Sequence, residues 1–463
     1  MTVAAVVLAA GKGTRMHSKI PKVIHPICGR PMVEHVVNNL REAGIGRIIV
    51  VIGHNGQAVK DTLGPGIEYV VQEEQLGTGH AVMQTETVLK NHNGPLMVIH
   101  GDTPLYRPAT LRALVHSHRD SGVIGTVLAV NVDDPTGYGR IVRNAAGGLD
   151  KIVEQKDADP IELEIREINS GTYVFECESM FAALRRIRPQ NVQNEYYLTD
   201  VLTILKEDHG TVQVFTHADD EEALGINNRA QLAVAEQIMR DRIREKWLLA
   251  GVTMIDPATT YIDAEAELEQ DVALMPFTFI EGHTHIAQGS VIGPFVRLKD
   301  AKVGENVTIS QATVVESSLE RGCTVGPYSH IRPGCHLAEG VKVGGFCEIK
   351  NTIIGPESKV PHLSYLGDTR VGGQVNIGAG TITCNYDGLE KHRTTIEDQA
   401  FIGSNCNLVA PVVVGTGAYA AAGSTITTDI PPGALGVARN RQRNIPGWEQ
   451  RQQRKREEPK KGS

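Results

Sequence analysis

The sequence predicts two domains of unlike architecture: an α/β domain with a Rossmann-like, mainly parallel sheet, then a left-handed parallel β-helix of hexapeptide repeats. Three observations carry this reading. The chain has 463 residues, more than one ordinary core accommodates. Its first half alternates short apolar runs with helical stretches, and its second half repeats with a period of six. Neither the 3.6-residue period of a helix nor the two-residue period of a strand describes that second half.

Residues 3–8 read as a buried strand, 33–43 as a helix, 48–52 as a second strand and 95–100 as another, ending in Gly101-Asp102. Strands separated by helices imply a mainly parallel sheet. Ligands of such sheets bind at the carboxyl ends of the strands, where Asp102 and the Gly-rich turn after Leu8 both fall. Leu232, Ala235, Met239, Ile243 and Trp247 then recur at three- and four-residue spacing, which predicts a packed connector helix with no chemistry of its own.

Beyond about Tyr261 the period becomes six. Leu319, Val325, Ile331, Leu337, Val343 and Ile349 are six apart, as are Ile396, Ile402, Leu408, Val414, Ala420 and Ile426, and Val303, Ile309 and Val315. Four residues after the aliphatic one stands a small one: Thr313, Cys323, Ser329, Cys335, Cys347, Ala400, Cys406 or Ala418. One aliphatic and one small inward residue per hexad build a parallel β-helix. The regularly spaced cysteines are accordingly core residues rather than metal ligands; the chain has 7 in all, and no C-x-x-C pair. The repeat breaks at 360–366 and more widely at 383–395, and a solenoid expels extra residues as outside loops. These loops gather His362, Tyr365, Asn385, Tyr386, Asp387 and Lys391 on a rigid scaffold, where function tends to sit. The expected domains are therefore 1–228, a connector helix 229–250, the β-helix 251–438 and a basic, largely disordered tail 439–463.

A net charge of −8 argues against a general nucleic-acid binder. The apolar start, residues 3–10, is too short for a membrane span and lacks the basic flank and cleavage site of a signal peptide. The expectation is a cytoplasmic enzyme with no membrane insertion and no disulfides.

In Leu8-Ala-Ala-Gly-Lys-Gly-Thr-Arg-Met16 a strand runs into a Gly-rich turn. Gly11 and Gly13 let backbone amides approach phosphate oxygens, a following helix N-terminus would favour their charge, and Arg15 and Lys22 add cations. The spacing is neither a Walker A loop nor a complete dinucleotide fingerprint, since Met16 stands at the third glycine. Two glycines alone also fit a plain tight turn.

Further motifs agree. That segment with Pro21-Lys22, Gln72 with Gln75-Leu-Gly-Thr-Gly-His-Ala81, His100-Gly-Asp102, Asp134-Pro-Thr-Gly-Tyr-Gly-Arg140, Glu154, Asn169-Ser-Gly171 and Gly225-Ile-Asn-Asn228 resembles the sugar-1-phosphate nucleotidyltransferase family over roughly the first 228 residues. Joined to a hexapeptide domain bearing His362 and Asn385-Tyr-Asp-Gly388, the chain resembles the family of bifunctional N-acetylglucosamine-1-phosphate uridylyltransferases and glucosamine-1-phosphate acetyltransferases along nearly its whole length. The resemblance implies that Leu8, Ala9, Ala10, Gly11, Lys22 and Gln72 bind UTP, supported by Gly77 and Thr78. It implies that Gly139, Glu154, Asn169 and Asn227 serve the sugar substrate, and that Asp102 and Asn227 hold Mg²⁺, a hard cation suited to oxygen ligands. The sugar phosphate attacks the α-phosphorus of UTP and expels pyrophosphate. It is already anionic, so catalysis is positioning and charge neutralisation by Mg²⁺, Arg15 and Lys22. His100 departs from the family, which often has Tyr there.

Acetyl transfer to an amine requires that amine unprotonated, a task suited to a histidine. The chain has 17, and a lone histidine is ordinarily structural. His362 stands out because it falls in a break of the repeat. By resemblance His362 is the general base, with Glu348 orienting it. Arg332, Lys350 and Lys391 bind the sugar phosphate, and Tyr365, Asn376, Asn385 and Tyr386 the sugar. Ala379, Ser404, Ala422 and Arg439 contact acetyl-CoA. The resemblance further implies a homotrimer. Arg332 and Lys350 fall in regular coils, Lys391 in the expelled loop and Arg439 beyond the last coil, so the acetyltransferase site is expected at a subunit interface. Three rivals stand beside this reading. One is a zinc-binding solenoid using His330, His336 and His362 between subunits. A second is a single-activity pyrophosphorylase with a structural β-helix, against which His362 and Asn385-Tyr-Asp-Gly388 argue. A third is a non-catalytic sugar-nucleotide sensor, which would be expected to lack Asp102 or Lys22.

Overall fold

The computed structural model describes residues 2–53 and 56–457 and forms two compact units, Met1–Lys246 with Ile262–Glu265, and Trp247–Tyr261 with Ala266–Ser463.

In the first unit β1 (Ala4–Ala9) is buried throughout: Ala4, Val6 and Leu8 belong to one apolar cluster and Ala5, Val7 and Ala9 to another. An unbroken apolar run is what a strand covered on both faces requires. The other strands are β2 (Arg47–Ile52), β3 (Glu68–Val71), β4 (Pro95–His100), β5 (Gly125–Asn131), β6 (Gly139–Arg143), β7 (Leu149–Val153), β8 (Glu167–Glu176) and β9 (Val212–His217). The sheet order is β9-β5-β8-β4-β1-β2-β3, with β1 parallel to both β2 and β4. β8 runs antiparallel to β4 and β5, and the antiparallel hairpin β6–β7 pairs with it. The predicted parallel sheet is thus parallel around β1 and mixed beyond β4. The helix predicted at 33–43 is α1 (Met32–Glu42).

The predicted connector is α2 (Arg229–Leu249). It does not merely connect: Leu232, Ala235, Met239 and Ile243 pack with Ile27, Met32, Leu105 and Ile226 of the first unit. A domain ending at 228 would strip this cluster of one wall.

The second unit is a left-handed β-helix of three parallel sheets. Val325, Ile331 and Leu337 supply one inward residue to each sheet in turn, and pair in the next coil with Val343, Ile349 and Ile354. All six are at most 2 % exposed, and each is worth roughly 1.5–3 kcal/mol of burial. The small inward residues close the corners: Cys323 Sγ lies 3.1 Å from the Ala338 carbonyl, Cys347 Sγ 3.3 Å from Val360 and Cys406 Sγ 3.2 Å from Ala421. Burial pushes the Cys323 thiol up to about 11, as suits a core thiol that stays protonated.

Four expectations change. The coils begin at Thr253–Met254, ahead of Tyr261. Val314 and Ala312, not Val315 and Thr313, point inward, because the corner after Ile309 is one residue short of a hexad. The break at 360–366 is no expelled loop: Val360 and Leu366 are both buried, and Lys359–His362 is a regular strand. The step from Ile349 to Ile354 has lost one residue, which shifts the count without interrupting the wall. Finally, the tail carries a helix, α3 (Trp448–Glu457), with no buried residue; 458–463 lie outside the described residues. The wider break at 383–395 does hold an external loop, between the strands Ile382–Cys384 and Thr394–Ile396, closed by an antiparallel bridge between Tyr386 and Lys391.

Candidate active sites

A cleft of about 440 Å³ opens at the carboxyl ends of β1 and β4, and brings together Leu8, Ala9, Ala10, Gly11, Arg15, Lys22, Gln72, Gly77, Thr78, Asp102 and Asn227. The turn after β1 leads into a single 3₁₀ turn, Thr14–Met16, not the helix N-terminus expected from sequence; the first α-helix is α1. Positive charge at the turn therefore comes from side chains. Gly13 has φ +60°, and a Cβ there would stand 2.7 Å from Lys22 Cβ, so only glycine lets Lys22 cross the turn. On the opposite wall Gly77 has φ +110°, and a Cβ would stand 2.6 Å from the Tyr196 carbonyl oxygen. Gln72 is buried beside it and donates through Nε2 to the Gly77 carbonyl at 3.2 Å.

Asp102 follows β4, and the Ile226 N–H donates to its carbonyl at 3.0 Å, which draws Asn227 alongside. Lys22 Nζ donates to Asp102 Oδ2 and, at 3.1 Å, to Asn227 Oδ1; Arg15 donates to the same Asn227 oxygen at 2.9 Å. Burial alone would raise the Asp102 carboxyl, but the Lys22 ammonium and His100 beside it hold it below the usual carboxylate range. Two hard oxygens near enough to share one ammonium suit Mg²⁺.

Gly139, Glu154 and Asn169 form a second group. Asn169 pairs with Gly139 across β8 and β6, and a Cβ on Gly139 would stand 3.3 Å from Glu154 Oε1. Asn169 Nδ2 donates to Tyr173 Oη at 2.8 Å. Burial, with Asp157, Asp200 and Glu195 adding to it, pushes Glu154 up to about 7. Gly171, φ +77°, links this group to the cleft: a Cβ there would stand 2.7 Å from the His100 ring. The His100 imidazole thus lies against bare backbone, and burial lowers its pKa. Lys12, Gln75 and Glu195 also line the cleft without having been assigned a part. Gln75 stood in a quoted motif; Glu195 arrives through pairing of the Leu76 and Tyr196 backbones, which has no sequence signal.

On the β-helix, Arg332, Lys350, Tyr365, Asn385 and Lys391 gather along one sheet and the corner that ends it. Lys391 beside it, more than burial, lowers the Lys350 pKa, and Arg332 adds to the effect. Asp368 ties the corner, accepting from Asn351 Nδ2 at 2.6 Å and from Asn385 Nδ2. Tyr386, on the external loop, is exposed. Within this chain Glu348 Oε1 accepts from Arg332 at 2.8 Å.

His362, Ala379, Ser404 and Ala422 form a different column. Each stands two residues after an inward residue of the preceding sheet, namely Val360, Ile377, Ile402 and Ala420. Their backbones are close: the Asn405 N–H donates to the Ala379 carbonyl at 2.7 Å and the Gly423 N–H to Ser404 at 2.8 Å. Arg439 Cδ lies 4.0 Å from where a Gly423 Cβ would be, and Asn376 is half-buried in the strand before Ala379. His362 is exposed, at the far end of a coil side from Gly367, which pairs with Lys350. Five residues separate them, at most roughly 16 Å of strand. His330 and His336 lie on the two other sheets, and His336 is engaged by Ser318 at 2.8 Å and Glu320 at 3.0 Å.

No helix among the described residues is long and apolar enough to cross a membrane. Residues 4–241 match the nucleotidyl transferase family model, and 316–351 match the bacterial transferase hexapeptide model (six repeats). Along almost its full length the chain is similar to proteins called bifunctional protein GlmU. It is 55 % identical to that of Heliobacterium modesticaldum, covering 94 % of this chain and 95 % of that one. It is 50 % identical to that of Geobacillus thermodenitrificans (95 % and 96 %) and 47 % identical to that of Exiguobacterium sibiricum (96 % and 99 %). Since both halves match within single relatives, the chain belongs to the bifunctional GlmU family and is a transferase with two activities, uridylyl transfer and acetyl transfer.

Proposed function

We propose that the two activities make UDP-N-acetylglucosamine in sequence, with the residues described above in the roles that follow. The hexapeptide unit transfers acetyl from acetyl-CoA to the amine of glucosamine-1-phosphate. The first unit transfers uridylyl from UTP to N-acetylglucosamine-1-phosphate and releases pyrophosphate. The observation that carries this reading is the convergence of Lys22 and Arg15 on Asp102 and Asn227, in a cleft floored by Leu8–Gly11.

Asp102 and Asn227 would hold Mg²⁺, which supplies neutralisation of the triphosphate charge. Lys22 and Arg15 bind phosphate oxygens and orient the sugar phosphate for in-line attack, while Gln72, Gly77 and Thr78 seat the uracil nucleotide. Glu154, Asn169 and Gly139 take the sugar. In the second site the His362 ring accepts the amine proton as nitrogen attacks the thioester carbonyl; the C–S bond then breaks and CoA leaves as its thiol. Arg332, Lys350 and Lys391 neutralise the sugar phosphate.

The chain acts as a homotrimer in the cytoplasm. Two observations support assembly. His362 and the phosphate-binding cations stand at opposite ends of one coil side, so a neighbouring chain most simply completes each site. Beside His362 runs a corner of exposed apolar side chains, including the stacked pairs Phe277–Phe295 at 5.0 Å and Tyr328–Phe346 at 5.1 Å, and Leu363. Such a stripe is a surface for burial.

The test is direct. Purified protein should release pyrophosphate from UTP and N-acetylglucosamine-1-phosphate, and free thiol from acetyl-CoA and glucosamine-1-phosphate. Pyrophosphate without thiol would leave a single-activity enzyme with a structural β-helix.

A further inference from the structure

We infer that Lys22 is an exchangeable cation: its ammonium and the divalent metal compete for the oxygens of Asp102 and Asn227, and this competition couples metal binding to nucleotide binding. The inference rests on the reading of Asp102 and Asn227 as the metal pair. Lys22 Nζ donates to both of these side chains, and the Asp102 and Lys22 side chains are each only 14 % exposed. A carboxylate so far removed from water needs a positive partner, because losing one partner of a buried pair strands the other. Asp102 Oδ2 and Asn227 Oδ1, the two oxygens that the ammonium occupies, do not have room for two cations. An ammonium and a dication on the same oxygens would lie within about 4 Å of each other, where like charges repel strongly in a partly buried site.

The metal must therefore displace the ammonium, and the structure limits where the ammonium can go. The stem of Lys22 is packed against Gly13, with Cβ held where no other residue type leaves space. Only the head can move, and the cleft around it is already cationic with Lys12 and Arg15. Arg15 itself donates to Asn227 Oδ1 and loses that acceptor on the same occasion. With metal alone, two cations are left facing a dication. The phosphates of a nucleotide resolve this, since they offer Lys22 and Arg15 new acceptors at the moment the metal takes the old ones. Metal and nucleotide each favour the other, and the coupling is reciprocal.

Mn²⁺ serves as the probe, its free concentration followed by electron paramagnetic resonance during titration of the full-length protein. Without nucleotide, Lys22→Met is expected to bind Mn²⁺ about tenfold more tightly than wild type, within the usual range of coupling between sites. Mn²⁺ should raise the affinity of wild type for UDP-N-acetylglucosamine, measured by calorimetry, and raise that of the variant far less. Lys22→Gln, which keeps a hydrogen-bond donor, covers the case of a misfolded Met variant, with the unfolding midpoint as the check. If folded Lys22→Met and Lys22→Gln bind Mn²⁺ no more tightly than wild type, Lys22 is a phosphate ligand only and the competition is wrong. If Asp102→Asn leaves wild-type Mn²⁺ affinity unchanged, the metal assignment itself has failed, and the inference falls with it.

Discussion

His392 Nε2 lies 2.7 Å from Asp387 Oδ2, across the base of the loop that carries Tyr386 and Lys391. Asp387 Oδ1 also accepts the N–H groups of Leu389 at 2.8 Å and Glu390 at 2.7 Å, and Tyr386 Oη donates to the Gly388 carbonyl at 2.6 Å. Hydrogen bonds from the Glu390 and Leu389 backbone and from His392 hold the Asp387 carboxyl well below the usual range. The residues between the strands Ile382–Cys384 and Thr394–Ile396 are thus closed into a defined hairpin by one carboxylate.

Asp387→Ala should raise KM for glucosamine-1-phosphate about tenfold, the scale of losing charge-assisted hydrogen bonds that order Lys391. Asp387→Asn, which keeps an oxygen for the backbone donors, should recover part of the loss. Uridylyl transfer should not change. Steady-state kinetics with both substrate pairs check this, and an unchanged KM in Asp387→Ala would mean that the loop holds itself.

Asp102→Ala should abolish uridylyl transfer and leave acetyl transfer nearly intact, and His362→Ala should do the reverse. The two sites belong to separate compact units, each with its own core. If His362 only removes an amine proton, rising pH should partly rescue its alanine variant, because free amine then accumulates without a base. Comparable losses in both assays by either folded variant would contradict two independent sites.

Glu154 gives a pH signature. Its pKa is raised by folding, from an ordinary 4.5 to about 7. Between those values the folded protein keeps a proton that the unfolded chain has released, so stability falls as pH rises through this window and stays lost above it. Glu154→Gln should remove that slope. Relative to wild type it should gain roughly 3 kcal/mol between pH 4.5 and pH 8. Denaturant unfolding of both proteins at the two pH values checks it. Uridylyl transfer by the variant should fall, since the amide cannot reproduce the charge state of the acid.

Two inactive variants should complement each other. His362 and Lys391 lie on different corners of the solenoid. If they meet across a subunit interface, mixing His362→Ala with Lys391→Ala chains under subunit exchange should restore part of the acetyl transfer. Light scattering should report three chains. A monomer with full acetyltransferase activity would sink the assembly proposed for the second site.

Much of this protein follows from local chemistry that a linear sequence records. A six-residue period with an aliphatic and a small residue in each unit has one packed solution, and Leu319 to Ile349 announce it without the structure. The apolar run after Val3 and the glycines at 11 and 13 likewise mark a strand end and a turn, because the cost of burying a backbone or crowding a Cβ is paid residue by residue. What the sequence could not decide was whatever depends on the count of residues around a corner. The missing residue between Ile349 and Ile354 made a regular strand at His362 look like a loop, and the short corner after Ile309 moved the inward position from Val315 to Val314. Only the tertiary structure shows that α2 is a wall of the first core, that Glu348 is held by Arg332, and that Lys22 rests on Asp102 and Asn227, residues 80 and 205 positions away. Those contacts join charges whose separation along the chain carries no periodic signal; they are set by where strands end in space.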